Sequence, residues 1–422
     1  MNPRPLLAVT LAAASLPIRL SAQPKGESIA ITNVTIVPVV GTRIDKGTVV
    51  VRNGKIEAVG AQVAPPADAR RIDGTGLFVY PGFIDAGSRL GLTEIGSVPG
   101  PEDTQEIGTF NPQNNALTAV NPFSELIPVT RVSGITTAIT SARGGLIQGS
   151  AALIDLDGWT TDQMAVRPAA AMVMSYPRVA GGRGRGRPQA DQGDPTDAMN
   201  RQVRELNDYL RNARAFNDLA TKEHADLAFQ ALGPALRGQV PVIFDVQTAG
   251  QIRGVIALAD SFNLKVILRG AADAWRLADT LAAKRIPVIV GPLTQPPEGD
   301  LPYDAIYANP GVLAAAGVMI AFQSDDAAEA RNLPYNAALA TAFGLSPEEA
   351  LKALTINPAI MFGAADRLGS IEVGKAANLQ ITTGDPLDVR TVVKQVLIRG
   401  VDIPMTDRHT KLYQQFRARP KP

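Results

Sequence analysis

The chain of 422 residues contains no cysteine and only two histidines. The absence of cysteine excludes disulfides, thiolate zinc sites and cysteine nucleophiles. Aromatic residues make up only 5% of the chain, and the net charge is +1. Both values argue against a base-stacking platform and against a global electrostatic attraction to nucleic acid or anionic membranes. We therefore expect no nucleic-acid partner.

Long apolar runs are also absent, and the most apolar segment lies at the N-terminus. Residues 1–22 have the pattern of a signal peptide, with Arg4 as the positive start and an apolar core too short to span a bilayer. Small residues then place the cleavage after Ala22. An uncleaved anchor is the alternative, but no longer apolar run follows. We expect a secreted or periplasmic protein with no membrane contact after cleavage.

Short β-branched segments follow the leader. Residues 29–39 and 47–60 read as strands, and the Asn53-Gly54 pair is typical of a tight hairpin turn. The segment RRIDGTGLFVYPG adds another strand, a turn and a strand. The first part of the mature chain is therefore predicted to be a small β unit.

The middle of the chain alternates between short apolar runs and helical stretches. Continuous apolar runs are typical of parallel strands that are buried on both faces. The runs are 134–145, 240–247, 264–270, 286–292 and 317–326, and helical stretches lie at 249–262 and 271–285. This alternation predicts a parallel α/β sheet, either closed as a barrel or open.

The last third of the chain begins with a strong helix start and ends in β pattern. Ser346 is a capping residue, Pro347 occupies the first turn, and two glutamates follow. Residues 366–386 are rich in turns and β-branched residues. These strands are predicted to rejoin the N-terminal β unit, so that the barrel is inserted within one small domain.

Residues 178–197 interrupt the pattern with arginines that alternate with glycines. Such a tract buries too little apolar area to order itself, and it favours a flexible loop over a nucleic-acid contact. Residues 198–236 then show amphipathic helical spacing.

Two long motifs resemble the amidohydrolase superfamily, in the style of its imidazolonepropionase-like branch. They are GTVVVRNGKIEAVG…RIDGTGLFVYPGFIDA and GLSPEEALKALTINPAIMFGAADRLGSIEVGKAANLQI. The resemblance covers about residues 29–400 and implies a distorted TIM (β/α)8 barrel inserted in a small composite β-sandwich domain. The implied segments are a signal peptide at 1–22, composite β domain at 28–80 and 366–405, a barrel at 81–365 with its loop at 178–197, and a C-terminal tail at 406–422.

The resemblance also implies one or two divalent metals, such as zinc, at the C-terminal face of the barrel. The family's first His-x-His pair falls here on Gly87 and Arg89. Its third and fourth histidines fall on Asp245 and Arg269, at the ends of the fifth and sixth strands. A glycine offers no ligand and an arginine repels a cation. The family also often bridges two metals with a modified lysine or a glutamate near the fourth strand. No lysine occurs between Lys55 and Lys222, so we expect this bridge to be missing as well.

The remaining candidates do not rebuild the site. His224 and His409 both read as solvated surface residues. Asp325 matches the aspartate that the family delivers from the eighth strand as a general base, although a loop or helix-capping carboxylate is the alternative. Asp245, Asp325 and Asp326 could offer oxygens to a hard ion such as magnesium or calcium. Charge counting instead favours salt bridges with Arg89 and Arg269.

These residues lead to three hypotheses. The first is a metal-free, catalytically impaired family member that binds a small-molecule ligand or a partner subunit through the old barrel mouth. The second is a hydrolase of non-peptide C–N bonds that uses Asp325 and an unconventional oxygen site. The third is a structural partner of a histidine-bearing paralogue in a hetero-oligomer, and the sequence leaves homo- and hetero-oligomers both open. We expect no cofactor.

Overall fold

A computed structural model describes residues 28–96, 98, 100, 102–179, 194–219, 225–294 and 302–419. Its first five strands are β1 (Ile29–Ile36), β2 (Ile44–Arg52), β3 (Lys55–Gly60), β4 (Arg70–Asp73) and β5 (Phe78–Pro81). β2 and β3 form the predicted hairpin, and both turn residues, Asn53 and Gly54, have positive φ angles of 51° and 77°. Asparagine and glycine tolerate this left-handed conformation better than other residues.

The next eight strands form the barrel. They are β6 (Phe83–Ser88), β7 (Ile135–Thr140), β8 (Ile147–Asp155), β9 (Ala165–Ser175), β10 (Val242–Val246), β11 (Val266–Gly270), β12 (Val288–Val290) and β13 (Ile320–Phe322). They are hydrogen-bonded in chain order from β6 to β13. The predicted TIM-type barrel is therefore confirmed.

One strand departs from the regular alternation. β8 pairs antiparallel with both β7 and β9, whereas the other neighbouring pairs in the sheet are parallel. A parallel pair needs a long crossover, but an antiparallel pair needs only a turn. The turn between β7 and β8 contains Gly144 and Gly145, whose φ angles are 90° and 71°. β7 is one of the parallel strands and ends at this turn. The turn therefore lies at the end of the barrel where the parallel strands finish, which we call the mouth.

The described helices surround the barrel strands or follow them. They are α1 (Ala116–Ala119), α2 (Leu126–Arg131), α3 (Thr161–Met164), α4 (Pro195–Asp218), α5 (Leu227–Leu236), α6 (Ala249–Phe262), α7 (Ala278–Lys284), α8 (Ala305–Ala315), α9 (Leu333–Thr341), α10 (Pro347–Ala353), α11 (Ile356–Met361) and α12 (Arg408–Arg417). The predicted cap of α10 is present, since Ser346 Oγ accepts a hydrogen bond from the Glu349 amide. Among the described residues, no helix is long and apolar enough to cross a membrane.

Apolar side chains fill the barrel interior. Each strand contributes at least one, and they include Ile84, Ile139, Leu153, Val173, Ile243, Ile267, Ile289 and Ala321. Met361 and Phe362, at the end of α11, belong to the same cluster. The barrel is therefore a packed core rather than a pore, and chemistry is confined to its ends.

The chain returns to the first β unit after the barrel. Its last strands are β14 (Leu379–Thr382), β15 (Val393–Ile398) and β16 (Val401–Ile403). β14 pairs antiparallel with β5, so the strands that precede the barrel and those that follow it share one eight-stranded sheet. This confirms the composite β domain.

Two differences concern the predicted segments. α4 begins at Pro195, inside the segment 178–197 that was predicted to be a loop, because Asp194 caps the helix by accepting from the Thr196 amide. α12 occupies most of the predicted tail, and Asp407 caps it in the same way. The predicted signal peptide, residues 180–193 of the predicted loop, and His224 lie outside the described residues.

Candidate functional site

A buried carboxyl group closes the barrel between its first and last strands. Asp85, on β6, is fully buried and accepts hydrogen bonds from the amides of Gly87 and Ser324, both at 3.1 Å. Its Oδ2 also accepts from Ser324 Oγ at 2.5 Å. Burial raises the pKa of Asp85 to about 7, although these donors oppose the rise. The sequence prediction missed this residue, although it lies in the FIDA motif.

Gly87 lies beneath two other side chains of the mouth. A Cβ atom built on Gly87 would lie 2.4 Å from Gln323 Oε1 and 3.5 Å from Arg269 Cδ. Gln323 is itself buried, and its Nε2 donates to the Gly291 carbonyl at 2.8 Å. The space that a histidine at position 87 would need is therefore already filled.

Asp245 and Arg269 form an ion pair at the ends of β10 and β11, where they are register partners. Arg269 Nε and Nη2 donate to the two carboxylate oxygens of Asp245 at 2.5 and 3.0 Å. Arg269 Nη1 donates to Ser141 Oγ at 2.9 Å. The Arg269 side chain is only 5% exposed, against 33% for Asp245. Its guanidinium is thus desolvated but matched by a bidentate partner.

Asp325 is held by Arg143, a residue that the sequence analysis did not identify as part of the site. Arg143 Nη2 donates to Asp325 Oδ1 in a short ion pair, and also to the Asp325 carbonyl at 3.0 Å. The hairpin between β7 and β8 brings Arg143 to the mouth. Asp325 itself has a φ of 57°, so its backbone turns sharply after β13.

Arg89 and Asp326 do not form the salt bridges that charge counting favoured. Arg89 Nε and Nη2 donate to the Asp325 backbone carbonyl at 3.2 and 2.8 Å, not to a carboxylate. Asp326 Oδ1 accepts from the amides of Ala328 and Glu329 at 2.7 and 3.0 Å. Asp326 is therefore a local capping group, and Arg89 fixes the loop that carries Asp325.

These side chains surround a cavity of about 260 Å³ at the mouth, which we call the mouth cup. Its lining includes Arg143, Gln148, Asp245, Arg269, Gln323 and Asp325. A second cavity of about 590 Å³ shares Ser175, Asp245 and Gln247 with it and extends toward Tyr176 and Met199. The mouth thus combines a polar inner cup with a larger, partly apolar outer groove.

The mouth does not fit the divalent metal that the resemblance implies. Within the described ranges, no group of three or more His, Cys, Asp or Glu side chains could hold a metal ion. Zinc and related ions need about four nitrogen, sulfur or carboxylate oxygen donors. The two carboxylates of the cup, Asp245 and Asp325, are each paired with an arginine. His409 lies on the exposed helix α12, with Nε2 3.0 Å from Arg331.

The fold defines a β/α barrel with a composite β domain, and comparisons with known proteins identify its family. The model of the amidohydrolase family matches residues 304–403. A crystal structure of an amidohydrolase from Thermotoga maritima MSB8 is 27% identical, with a TM-score of 0.79, and covers 90% of this chain and 100% of that one. Together with the barrel and its composite β domain, these matches support the assignment of the chain to the amidohydrolase superfamily.

Two curated relatives agree with this assignment. Amidohydrolase tasK from Hapsidospora irregularis is 26% identical in an alignment 397 residues long that covers 84% of this chain but 39% of tasK. Imidazolonepropionase from Porphyromonas gingivalis is 41% identical over 81 residues, or 18% of this chain and 19% of that enzyme. The chain thus spans about two fifths of tasK and one fifth of the imidazolonepropionase.

Proposed function

We propose that this protein is an exported amidohydrolase-family member whose barrel mouth binds a small molecule without a metal ion and with impaired hydrolytic chemistry. The observation that carries the proposal is the ion pair between Asp245 and Arg269. It occupies the two positions at which the resemblance implies metal-binding histidines, and Arg269 is almost completely buried there.

A divalent cation at this position would meet a permanent positive charge. Arg269 cannot lose its proton at ordinary pH, and Asp245 raises its pKa further despite the opposing effect of burial. Moving Arg269 aside would leave Asp245 without its charged partner and Ser141 without its donor. The ion pair thus disfavours a metal in two ways: Arg269 repels the cation, and Asp245, which could serve as a ligand, is already engaged.

The polar groups of the mouth cup indicate which ligand chemistry it favours. The Oε1 atoms of Gln148 and Gln323 are buried, and neither accepts a hydrogen bond from any residue that the structure describes. The orientation of Gln148 is set by its Nε2, which donates to Ser175 Oγ at 2.7 Å and to Asp245 Oδ2 at 3.2 Å. A buried acceptor without a donor is costly. A ligand with N–H groups, such as an amide or the imidazolone suggested by the relative's name, would satisfy it.

Binding and hydrolysis of such molecules test the proposal. The purified mature protein would be titrated calorimetrically with imidazolonepropionate and with simple cyclic amides, and hydrolysis would be followed with and without a chelator. We expect saturable binding by at least one of these molecules and no enzymatic hydrolysis. Hydrolysis that the chelator abolishes would contradict the proposal, and so would the absence of binding by every member of the set.

A matched pair of variants locates the binding. Gln148→Met keeps the length of the side chain and removes its polar atoms, so we expect weaker binding of the ligand. Gln414→Met makes the same change on the exposed helix α12 and should leave the affinity unchanged. Equal affinities of the two variants would place the ligand outside the mouth cup.

Export is the second part of the proposal, and it is supported by the signal-peptide pattern of residues 1–22. The N-terminal sequence of protein recovered from the medium or the periplasm should begin at Gln23. Recovery of the uncleaved chain from the cytoplasm or a membrane fraction would contradict it. A role as partner of a histidine-bearing paralogue stays a prediction, and co-purification with such a protein would support it.

A further inference from the structure

A crevice of about 700 Å³ lies at the end of the barrel opposite the mouth. Pro241, Lys265 and Pro287 line it, and they directly precede β10, β11 and β12. Because these strands are parallel, their N-terminal ends share one face of the barrel. We call this cavity the basal crevice. Its volume is within the range of small-molecule sites.

Positive charge predominates around the basal crevice. Its lining contains four cations, Arg167, Lys265, Lys284 and Arg285, and one carboxylate, Asp260. Asp260 pairs with Lys284 at 2.9 Å.

The other three cations have no carboxylate partner within the described part of the chain. Arg167 donates to the Gly363 carbonyl at 2.6 Å. The exposed side chains of Lys265 and Arg285 form no hydrogen bond or ion pair with the described residues. Unpaired cations beside one cavity produce a local positive potential that attracts anions.

Apolar side chains form the wall between these charges and the barrel interior. Ile360 is 46% exposed, and it is followed by Met361 and Phe362, which belong to the interior cluster. Leu264 and Ile286 line the same cavity. The basal crevice therefore presents an apolar wall bordered by uncompensated positive charge.

We propose that the basal crevice binds a small amphipathic organic anion, with its acidic head beside Lys265, Arg285 and Arg167 and its apolar body against Ile360. The match of charge and polarity selects this class of ligand. A cationic amphiphile would meet repulsion at the same place, and an inorganic anion would leave the apolar wall exposed. The site is separate from the mouth cup and does not depend on the function proposed for it.

Calorimetric titration of the mature protein with octanoate and octylamine tests this proposal. Octanoate should bind saturably, and its affinity should weaken as the salt concentration rises, because salt screens exposed charges. Octylamine, which has the same chain length, should not bind measurably. The absence of saturable octanoate binding would overturn the proposal, as would equal binding of the two molecules.

Variants assign the binding to the basal crevice. Lys265→Gln and Arg285→Asn each remove one charge, and asparagine tolerates the left-handed backbone of Arg285, whose φ is 55°. We expect each to weaken octanoate binding by about two- to fivefold, as for exposed ion pairs. Ile360→Asn should weaken it through the loss of apolar contact. Lys46→Gln, an exposed charge change on β2, is the control and should have no effect. If the crevice variants bind octanoate as tightly as the control, the proposal is wrong.

Discussion

The side-chain oxygen of Gln323 lies directly over Gly87, at a distance that leaves no room for even a methyl group on that glycine. Gln323 cannot simply move away, since its amide nitrogen is bonded to the Gly291 carbonyl and the residue is buried. The mouth is thus packed tightly around the position at which the resemblance implies the first metal ligand. We expect that placing histidines at the implied ligand positions would not by itself create a metal site.

This packing predicts that even a small side chain at position 87 is destabilising. Gly87→Ala should lower the free energy of unfolding by about 1–3 kcal/mol, as other overpacked buried sites do. Urea unfolding followed by circular dichroism measures it. In the Gln323→Ala background the same change should cost much less, because the clashing atom is gone. An equal cost in both backgrounds would show that Gln323 is not the obstacle.

The ion pair of Asp245 and Arg269 predicts a strongly asymmetric mutational response. Arg269→Met should destabilise the protein by about 3 kcal/mol, the low end for a broken buried pair, because Asp245 keeps partial contact with solvent. Arg269→Met combined with Asp245→Leu should recover most of this loss. Arg390→Met, which removes an exposed pair with Asp388, serves as the control and should have little effect on urea unfolding. Similar losses in the Arg269 and Arg390 variants would contradict the buried role of Arg269.

Asp85 predicts an unusual dependence of stability on pH. Its pKa is about 7 in the folded state and 3.8 in the unfolded chain, so the folded state holds the proton more tightly. The free energy of unfolding should therefore fall as the pH rises from about 4 to 7, by a few kcal/mol from this group. Below about pH 4 this stabilising contribution of Asp85 is fully present.

The variant Asp85→Asn isolates this contribution. An asparagine keeps an acceptor oxygen for the amides of Gly87 and Ser324 and does not titrate. The difference in unfolding free energy between the two proteins should change with pH over this interval. A difference that stays constant from pH 4 to 7 would show that Asp85 is ionised throughout.

Asp325 is expected to act on structure rather than on chemistry. Asp325→Asn removes the charge that pairs with Arg143, and since both side chains are about one third exposed the loss should be about 1 kcal/mol or less in urea unfolding. No hydrolytic activity should disappear with it. If the unmodified protein hydrolyses an amide and this variant does not, Asp325 is a general base after all.

The sequence revealed the scaffold because the scaffold depends on local rules. The Asn53-Gly54 hairpin and the Ser346 cap are set by the conformational preferences of those residues, and both are present in the structure. The alignment of Asp245 with Arg269 followed from the positions of two parallel strands. These features need only the neighbouring residues and the strand order.

The contacts across the mouth could not be read in this way. Arg143 reaches Asp325 across 182 positions of sequence, from the turn after β7 to the loop after β13. Asp85 meets Ser324 across 239 positions of sequence, at the junction of the first and last strands. The contact between Gln323 and Gly87 depends on how the side chains of the mouth pack. Such partners are determined by tertiary structure alone.

The central claim, that the mouth excludes a divalent metal, is tested most directly by the metal content of the purified mature protein. The protein would be incubated with zinc or manganese, freed of unbound ions by gel filtration, and measured by plasma mass spectrometry. We expect far less than one equivalent of either metal per chain. One or two equivalents of tightly bound zinc, located by anomalous scattering among Asp245, Arg269 and Asp325, would contradict the claim.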